Sequence, residues 1–136
     1  MRTGLCCLLL SITAACGHRT ADQKLISDLD SATSWIATLN LAAESWMGNR
    51  VPSAFMDDSI DAAQKSFEAA MQAIDQSPAS ASLRQRARQQ IRIAEDAGGE
   101  LRGAVRRTDA RGAARARARF EAAYASLHAM EQQETP

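Results

Sequence analysis

The stretch LRGAVRRTDARGAARARARF, residues 101–120, decides how many helices this chain forms. Its small and apolar residues recur at helical spacing, so the stretch can be drawn as part of one continuous helix. Large apolar residues are absent around residues 108–112, however, and Thr108 and Asp109 are types that favour helix starts. An uncut helix of roughly fifty residues would reach about 80 Å and leave half of its apolar face uncovered. We therefore predict a break near residue 108.

Four apolar stripes with helical spacing run along residues 22–130. The first contains Leu25, Leu29, Ala32, Ile36, Leu39, Ala43 and Trp46, widened by Trp35 and Met47. The second contains Met56, Ile60, Ala63, Phe67, Met71 and Ile74. The third contains Leu83, Ala87, Ile91, Ala94, Gly98, Leu101 and Val105. The fourth contains Ala116, Phe120, Ala123, Leu127 and Met130, with Tyr124 beside it. We predict that these stripes, including both indoles of the first, form the core. The alternative for the two indoles is an exposed patch that binds a partner.

Glycine, proline and serine separate the stripes and set the expected helix ends. Residues 48–52, GNRVP, interrupt the pattern, and Ser53 is the expected N-cap of the second helix. Ser77 and Pro78 form the next break, with Ser77 as the expected cap and Pro78 at the first helical position. The glycine pair at 98–99 does not shift the phase of the third stripe, so it predicts a kink or a close helix contact rather than a turn.

These features predict an all-α fold, an up-down four-helix bundle with short loops. The alternative is three helices, of which the third is long and unbroken. Strands are not expected, because alternation of apolar and polar residues is absent and β-branched residues are scarce. We divide the 136 residues into a leader at 1–15, a modified cysteine with its tether at 16–21, and a helical domain at 22–136.

The cysteines point to a processed amino terminus. Cys6, Cys7 and Cys16 lie in the first sixteen residues, so the rest of the chain can form neither a disulfide nor a cysteine metal site. Arg2 precedes an apolar run at residues 5–12, and small residues follow that run, which is the pattern of an export signal. The run is too short to cross a hydrocarbon core, because a helical span takes about 20 residues.

Thr13, Ala14, Ala15 and Cys16 resemble the lipobox of bacterial lipoproteins, in which Leu and two small residues precede the modified cysteine. Here Thr13 stands where that family most often has Leu. The resemblance implies that the Cys16 thiol receives a diacylglyceryl group, that a peptidase cuts before Cys16, and that the new terminus is acylated, for example with palmitate. Two or more acyl chains anchor a protein stably. The alternative is an ordinary secretory leader cut after Ala15, which leaves Cys16 as a free thiol.

Charge is distributed unevenly along a chain whose formal net charge is zero. Residues 17–78 carry four Lys or Arg against nine Asp or Glu, whereas residues 79–136 carry eleven Arg against seven acids. Two rows repeat arginine at every fourth position. They are Arg84, Arg88 and Arg92 in one row, and Arg107, Arg111, Arg115 and Arg119 in the other. Because like charges at this spacing repel on a helix face, we expect either compensation by the acidic first half of the bundle or an anionic partner.

No catalytic, metal or cofactor site is predicted. The chain has two histidines, His18 and His128, and it lacks the Glu-x-x-His pairs of di-metal bundles. It also lacks a Gly-x-Ser-x-Gly elbow, a P-loop and a Gly-x-Gly-x-x-Gly run. Asp57, Asp58 and Asp61 lie close together, but acidic residues are favoured at a helix start. Enzyme activity is therefore not expected, and export argues against nucleic acid as a partner.

The sequence thus predicts a small, non-catalytic envelope lipoprotein, held at the membrane by its lipid anchor, whose helical faces bind another envelope protein. Gly17 follows the lipobox cysteine, where Asp would resemble an inner-membrane retention signal. In an organism with two membranes, the resemblance therefore favours the outer membrane, with the domain facing the periplasm. The alternative function is a binding module whose arginine rows take anionic lipid or polysaccharide.

Overall fold

The computed structural model describes residues 20–134, and the regular structure in that range is helical. Its five helices are α1 Ala21–Asp28, α2 Asp30–Met47, α3 Ser53–Gln76, α4 Ala81–Arg106 and α5 Ala110–Glu134. Leu29 alone separates α1 from α2, and it keeps a right-handed helical conformation with φ −90° and ψ −8°. The two helices therefore form one interrupted rod, which makes four rods, as the sequence predicted.

The four rods pack as a closed ring. α2 contacts α3 and α5, and α4 contacts the same two helices from the opposite side. α1 adds contacts with α3 and α5. Because short connections join successive rods, neighbours in the chain run antiparallel. The fold is an up-down four-helix bundle, and no helix within residues 20–134 combines the length and hydropathy that a membrane span requires.

The core is built from the four predicted stripes. Phe67 of α3 and Phe120 of α5 are its largest side chains, and both are 0% exposed. Four members of the stripes lie half-buried at the edge of the core: Trp35, Trp46, Met47 and Met71. Within residues 20–134, the only buried polar side chain is that of Ser59. Burial of this continuous apolar interior is the main force that holds the rods together.

The predicted break near residue 108 is present, so the alternative of one long third helix is wrong. α4 ends at Arg106 and α5 begins at Ala110. Thr108 between them is left-handed, with φ 53°, and the N–H of Asp109 donates to the carbonyl of Ala104 at 2.8 Å. This is a Schellman motif, in which Thr108 occupies the position that glycine usually takes.

The end of α2 repeats this motif. Asn49 has φ 55°, and the N–H of Arg50 donates to the carbonyl of Ser45 at 2.8 Å. The connections at 48–52 and 107–109 lie at the same end of the bundle, which we call the distal end. The opposite end, which contains Thr20 and residues 77–80, is the proximal end.

Hydrogen bonds between different rods close the proximal end. The carboxylate of Asp22 accepts from the N–H of Ser80 at 2.7 Å and from its hydroxyl at 2.8 Å. The side-chain amide of Gln23 donates to the carbonyl of Glu134 at 2.9 Å. Thr20 and Gln23 also form a capping box, so α1 begins at Ala21.

The predicted N-cap of α3 is wrong. α3 begins at Ser53 itself, and Pro52 takes the cap position without a side-chain hydrogen bond. The hydroxyl of Ser53 instead accepts from the indole N–H of Trp46 at 3.2 Å. This side chain therefore joins α2 to α3 and cannot cap the helix.

The predicted cap of α4 is also displaced. Ser77 uses its hydroxyl to accept from the N–H of Ala79 at 3.1 Å, which folds the connection into a tight turn. Ser80 caps α4, because its hydroxyl accepts from the N–H of Leu83 at 3.4 Å. α4 thus begins at Ala81, three residues after Pro78, so the prediction of Pro78 as its first helical residue is wrong.

The glycine pair at 98–99 lies inside an unbroken α4. Gly98 is buried, and a Cβ built there would lie 4.0 Å from Cγ2 of Ile60 in α3. Gly99 is exposed and faces open space. The pair is therefore not a turn, and Gly98 marks an ordinary contact between α4 and α3.

Candidate functional site

The first arginine row lies along the first half of α4. Arg88 forms an ion pair with Asp75 of α3 at 2.5 Å. Arg84 is half-buried, with its Nε atom shielded from solvent, and Arg92 is exposed. Burial raises the pKa of Glu95, and the charge of Arg92 opposes that rise. Asp75 and Glu95 thus already compensate part of the positive charge of this row.

The second arginine row does not lie on one helix. Arg107 is the C-cap of α4, whereas Arg111, Arg115 and Arg119 belong to α5. The spacing of four residues therefore crosses the distal connection, and the prediction of one helix face is wrong at Arg107. The fold nevertheless brings Arg107, Arg115 and Arg119 together, because they line the same groove between α4 and α5.

This α4–α5 groove has a volume of about 600 Å³, and small residues form part of its wall. Gly112 brings the two helices close, because a Cβ there would lie 3.1 Å from the Cβ of Ala104. Arg107, which lines the groove, folds back along α4, and its Nη1 lies 3.1 Å from where a Cβ of Gly103 would stand. Ala118 continues the groove along α5. Because Gly112 and Ala118 have no side chain or a small one, space remains beside the arginines that line the groove.

Arg119 closes the inner end of the groove with acidic partners. Its guanidinium lies 2.5 Å from Oε1 of Glu100 and 3.7 Å from Oδ2 of Asp96, both on α4. Its side chain is 35% exposed. This arginine joins α5 to α4 and is not available to an outside anion.

The three remaining arginines of the second row form a distal arginine cluster, which we define as Arg107, Arg111 and Arg115. Among the described residues, Arg107 and Arg111 form no ion pair, and both are exposed. Arg115 reaches Oδ2 of Asp109 at 3.8 Å, and its side chain is 71% exposed. The cluster is therefore a cationic surface that the fold leaves largely uncompensated.

Asp109 lies beside this cluster, but its carboxylate is used at the start of α5. Oδ1 of Asp109 accepts from the N–H of Gly112 at 2.9 Å. That hydrogen bond, together with the charges of Arg115 and Arg107, holds the pKa of Asp109 below its usual range. One carboxylate that already accepts from the backbone cannot neutralise three guanidinium groups.

Two arginines outside the predicted rows join the basic half of the bundle to its acidic half. Arg102 of α4 pairs with Asp61 of α3. Arg117 of α5 lies 3.1 Å from Oε2 of Glu44 in α2 and donates to Asn40 at 2.9 Å. The two halves thus form ion pairs at these contacts, whereas the compensation expected for the arginine rows from the acidic half is present, among the described residues, only at Arg88. Sequence reasoning missed both residues, because neither belongs to an arginine row and their partners lie on other helices.

A second groove, the distal cleft, opens between the two distal connections. Its volume is about 630 Å³, and Trp46, Arg50 and both left-handed residues, Asn49 and Thr108, line it. Left-handed backbone is unfavourable for a residue with a side chain, although less so for Asn than for Thr. The distal cleft is therefore lined by the two non-glycine residues of the described chain that have a left-handed backbone conformation.

A third groove, of about 570 Å³, separates α2 from α5 near the proximal end. His128 stacks on Tyr124 there, with ring centroids 5.9 Å apart, and its Nδ1 lies 3.1 Å from Oε2 of Glu131. In the part of the chain that the structure describes, no group of three or more His, Cys, Asp or Glu is placed to hold a metal ion. His128 is therefore a surface residue with neighbours on its own helix.

The predicted leader at 1–15, the lipidation site Cys16 and the tether residue His18 lie outside the described residues. Comparison of the chain with protein-family models, with curated proteins and with solved structures finds no match.

Proposed function

We propose that this chain is a small envelope lipoprotein, anchored through an acylated Cys16, that acts without catalysis by binding another envelope protein. The lipobox-like residues 13–16 support the anchor. In an organism with two membranes, the anchor lies in the outer membrane and the bundle faces the periplasm.

The observation that carries the binding role is the position of the polar groups. Among residues 20–134, Ser59 alone is a buried polar side chain, so the charged residues lie at or near the surface. A catalytic site holds its reactive groups away from water, whereas a binding surface requires exposed side chains. The exposed side chains on the helical faces of this bundle support the binding role.

Large apolar side chains remain exposed on three helices. Leu41 of α2 is 63% exposed, Phe55 of α3 is 47% exposed and Tyr124 of α5 is 39% exposed. Apolar side chains on a helical face are the groups that a protein partner covers most favourably. These positions are therefore suited to report contact with a partner.

The proposed anchor fixes the orientation of the bundle. Thr20 lies at the proximal end, and four residues of extended chain after Cys16 reach at most about 14 Å. The 26 residues of α4 place the distal end about 39 Å further away. The proximal end then lies near the bilayer, and the distal end projects furthest from it.

Cell fractionation with intact-mass measurement tests the anchor. Wild-type protein should sediment with membranes and carry the added mass of its acyl chains. The Cys16→Ser variant should be soluble or keep its leader. If both forms partition alike, or if the wild-type mass shows no lipid, the anchor is wrong.

Photo-crosslinking in living cells tests the binding role. A crosslinking amino acid is placed singly at Leu41, Phe55 and Tyr124, and at exposed Gln85 of α4 as the control. We expect one protein adduct of constant mass to recur at one or more of the three apolar positions and not at Gln85. If all three positions give no protein adduct, protein binding through these faces is excluded.

A second candidate function is the binding of anionic lipid or polysaccharide by the arginine rows. It is favoured by Arg107 and Arg111, which are exposed without an ion pair among the described residues. Flotation of the Cys16→Ser form with anionic vesicles tests it, because such binding falls as salt screens the charges.

A further inference from the structure

We infer that the distal arginine cluster, Arg107, Arg111 and Arg115, docks an acidic polypeptide segment of the partner protein. This inference rests on the proposed protein-binding role, and it adds the surface and the chemistry of the partner.

The charges of the cluster support an anionic occupant. Arg102, Arg117 and Arg119 each have a carboxylate partner on a neighbouring helix. The cluster lacks such partners, apart from one contact of 3.8 Å between Arg115 and a carboxylate that caps α5. Like charges four residues apart on a helix destabilise it. An acidic partner would remove this cost when it binds.

The geometry of the cluster fits a polypeptide chain. Arg111 and Arg115 lie one turn apart on α5, which separates them by about 6 Å along the helix axis. A helical segment with Glu at every fourth residue presents its carboxylates at the same spacing. Each guanidinium can then bind a carboxylate through two parallel hydrogen bonds. The groove that Arg107 and Arg115 line, of about 600 Å³, offers space for side chains of the partner.

The position of the cluster favours protein over the lipid of the anchoring membrane. The cluster lies at the distal end, and the proposed anchor holds the proximal end, about 39 Å away along α4. Lipid headgroups next to Cys16 are therefore at the wrong end of the bundle. A segment of a second envelope protein can reach the distal end from the periplasm.

The test measures fluorescence anisotropy with a labelled helical peptide and the whole acylated chain in a nonionic detergent. The peptide has roughly 20 residues, because shorter isolated helices are marginal, and it carries Glu at every fourth position of one face. A matched peptide carries Gln at those positions. We expect wild-type protein to bind the Glu peptide and not the Gln peptide. Binding should weaken as salt shortens the Debye length from about 10 Å at 0.1 M to about 3 Å at 1 M.

Two charge-matched triple variants locate the binding site. The first changes Arg107, Arg111 and Arg115 to Gln, and the control changes Lys24, Lys65 and Arg86 to Gln. All six residues are exposed, so both variants should fold, and thermal melts by circular dichroism check this. We expect the first variant to bind the Glu peptide about tenfold more weakly and the control to stay within about twofold of wild type.

Charge reversal gives a second readout. The double variant Arg111→Glu with Arg115→Glu should release the Glu peptide and bind a Lys peptide of the same design. A variant that binds both peptides equally would contradict the inference.

Three other results would also overturn the inference. Equal weakening in both triple variants would mean that net charge alone attracts the peptide. Displacement of the peptide by phosphatidylglycerol added to the micelles would assign the cluster to lipid. Failure of wild-type protein to bind the Glu peptide would remove this docking site, while recurrent crosslinks at Leu41, Phe55 or Tyr124 would still support the proposed function.

Discussion

The two ends of the bundle are closed in different ways. At the proximal end, Asp22 bonds to Ser80, and Gln23 bonds to the carbonyl of Glu134, so side chains tie the first rod to two others. At the distal end, both connections turn through left-handed residues that are not glycine, Asn49 and Thr108. The distal arginine cluster adds like charges to the same end.

The bundle therefore concentrates its unfavourable backbone conformations and like charges at the distal end. Left-handed backbone is unfavourable for residues with a side chain, and closely spaced guanidinium groups repel each other. Such costs are often found at sites that serve binding. The four predictions below test whether the proximal end stabilises the bundle while the distal end carries these costs.

The largest effect is expected for Gly112→Ala at the distal end. The new Cβ would lie 2.5 Å from Oδ2 of Asp109 and 3.1 Å from the Cβ of Ala104. The carboxylate must therefore leave its capping position, and the contact between α4 and α5 must widen. Loss of the cap and crowding together should lower the free energy of unfolding by about 2 kcal/mol, measured by urea denaturation.

Gly99→Ala is the matched control. A Cβ at this exposed position of α4 meets nothing within 4 Å. The same substitution should therefore raise the free energy of unfolding by about 0.8 kcal/mol through helix propensity alone. A gain in stability at Gly112 would show that the helices do not approach each other closely there.

The next effect tests the proximal end. Asp22→Ala removes both hydrogen bonds to Ser80 and leaves that N–H without its partner. We expect the free energy of unfolding to fall by about 1 kcal/mol, since these bonds are partly exposed to solvent. Amide hydrogen exchange should also become faster at Ser80. Unchanged exchange at Ser80 would mean that this tie does not hold the proximal end closed.

Relief of backbone strain should give a smaller gain at the distal end. Thr108→Gly removes a β-branched side chain from φ 53° and should raise the free energy of unfolding by about 0.7 kcal/mol. Asn49→Gly should give only a few tenths of a kcal/mol, because Asn tolerates the left-handed region. Equal gains in thermal denaturation at the two positions would contradict the greater strain assigned to Thr108.

The smallest effect is the pH dependence of the distal cap. Because folding lowers the pKa of Asp109 from its ordinary value of 3.8, the ionised carboxylate adds stability above that pH. This stability is lost as the pH falls through the lowered pKa. The variant Asp109→Asn keeps an acceptor but has no charge to lose. The Tm of wild type should therefore exceed that of the variant at about pH 6, and the difference should shrink as the pH falls below 3.8. A Tm difference that stays constant with pH would contradict this role.

The sequence was sufficient to predict the large side chains that are buried, although four members of the same stripes are only half-buried: Trp35, Trp46, Met47 and Met71. Ile91 and Leu101, for example, are 0% exposed, as their place in the third stripe predicted. Burial in a helix repeats with every turn, so local spacing contains this information. The break near residue 108 was also predictable, because an unbroken helix could not have covered its own apolar face.

The ion pairs and caps could not be predicted in the same way. Arg102 meets Asp61 because α4 lies beside α3 in one register, and no local pattern encodes that register. Thr108 favours a helix start in the sequence but does not indicate a left-handed helix end, since the usual mark of such an end is glycine. The nearby Gly112 serves the packing of α4 against α5 instead. The sequence places the arginines of the distal arginine cluster in one row, but the fold is needed to identify which members of that row lack a carboxylate partner.

The bond between Gln23 and the carbonyl of Glu134 places the first and last described turns of the bundle side by side. A short flexible linker can therefore connect residue 134 to residue 20, and new termini opened at residues 48–52 would give a circular permutant with the same four rods. A fluorescent protein fused after α5 would likewise lie beside the first turn of α1 and leave the distal end accessible.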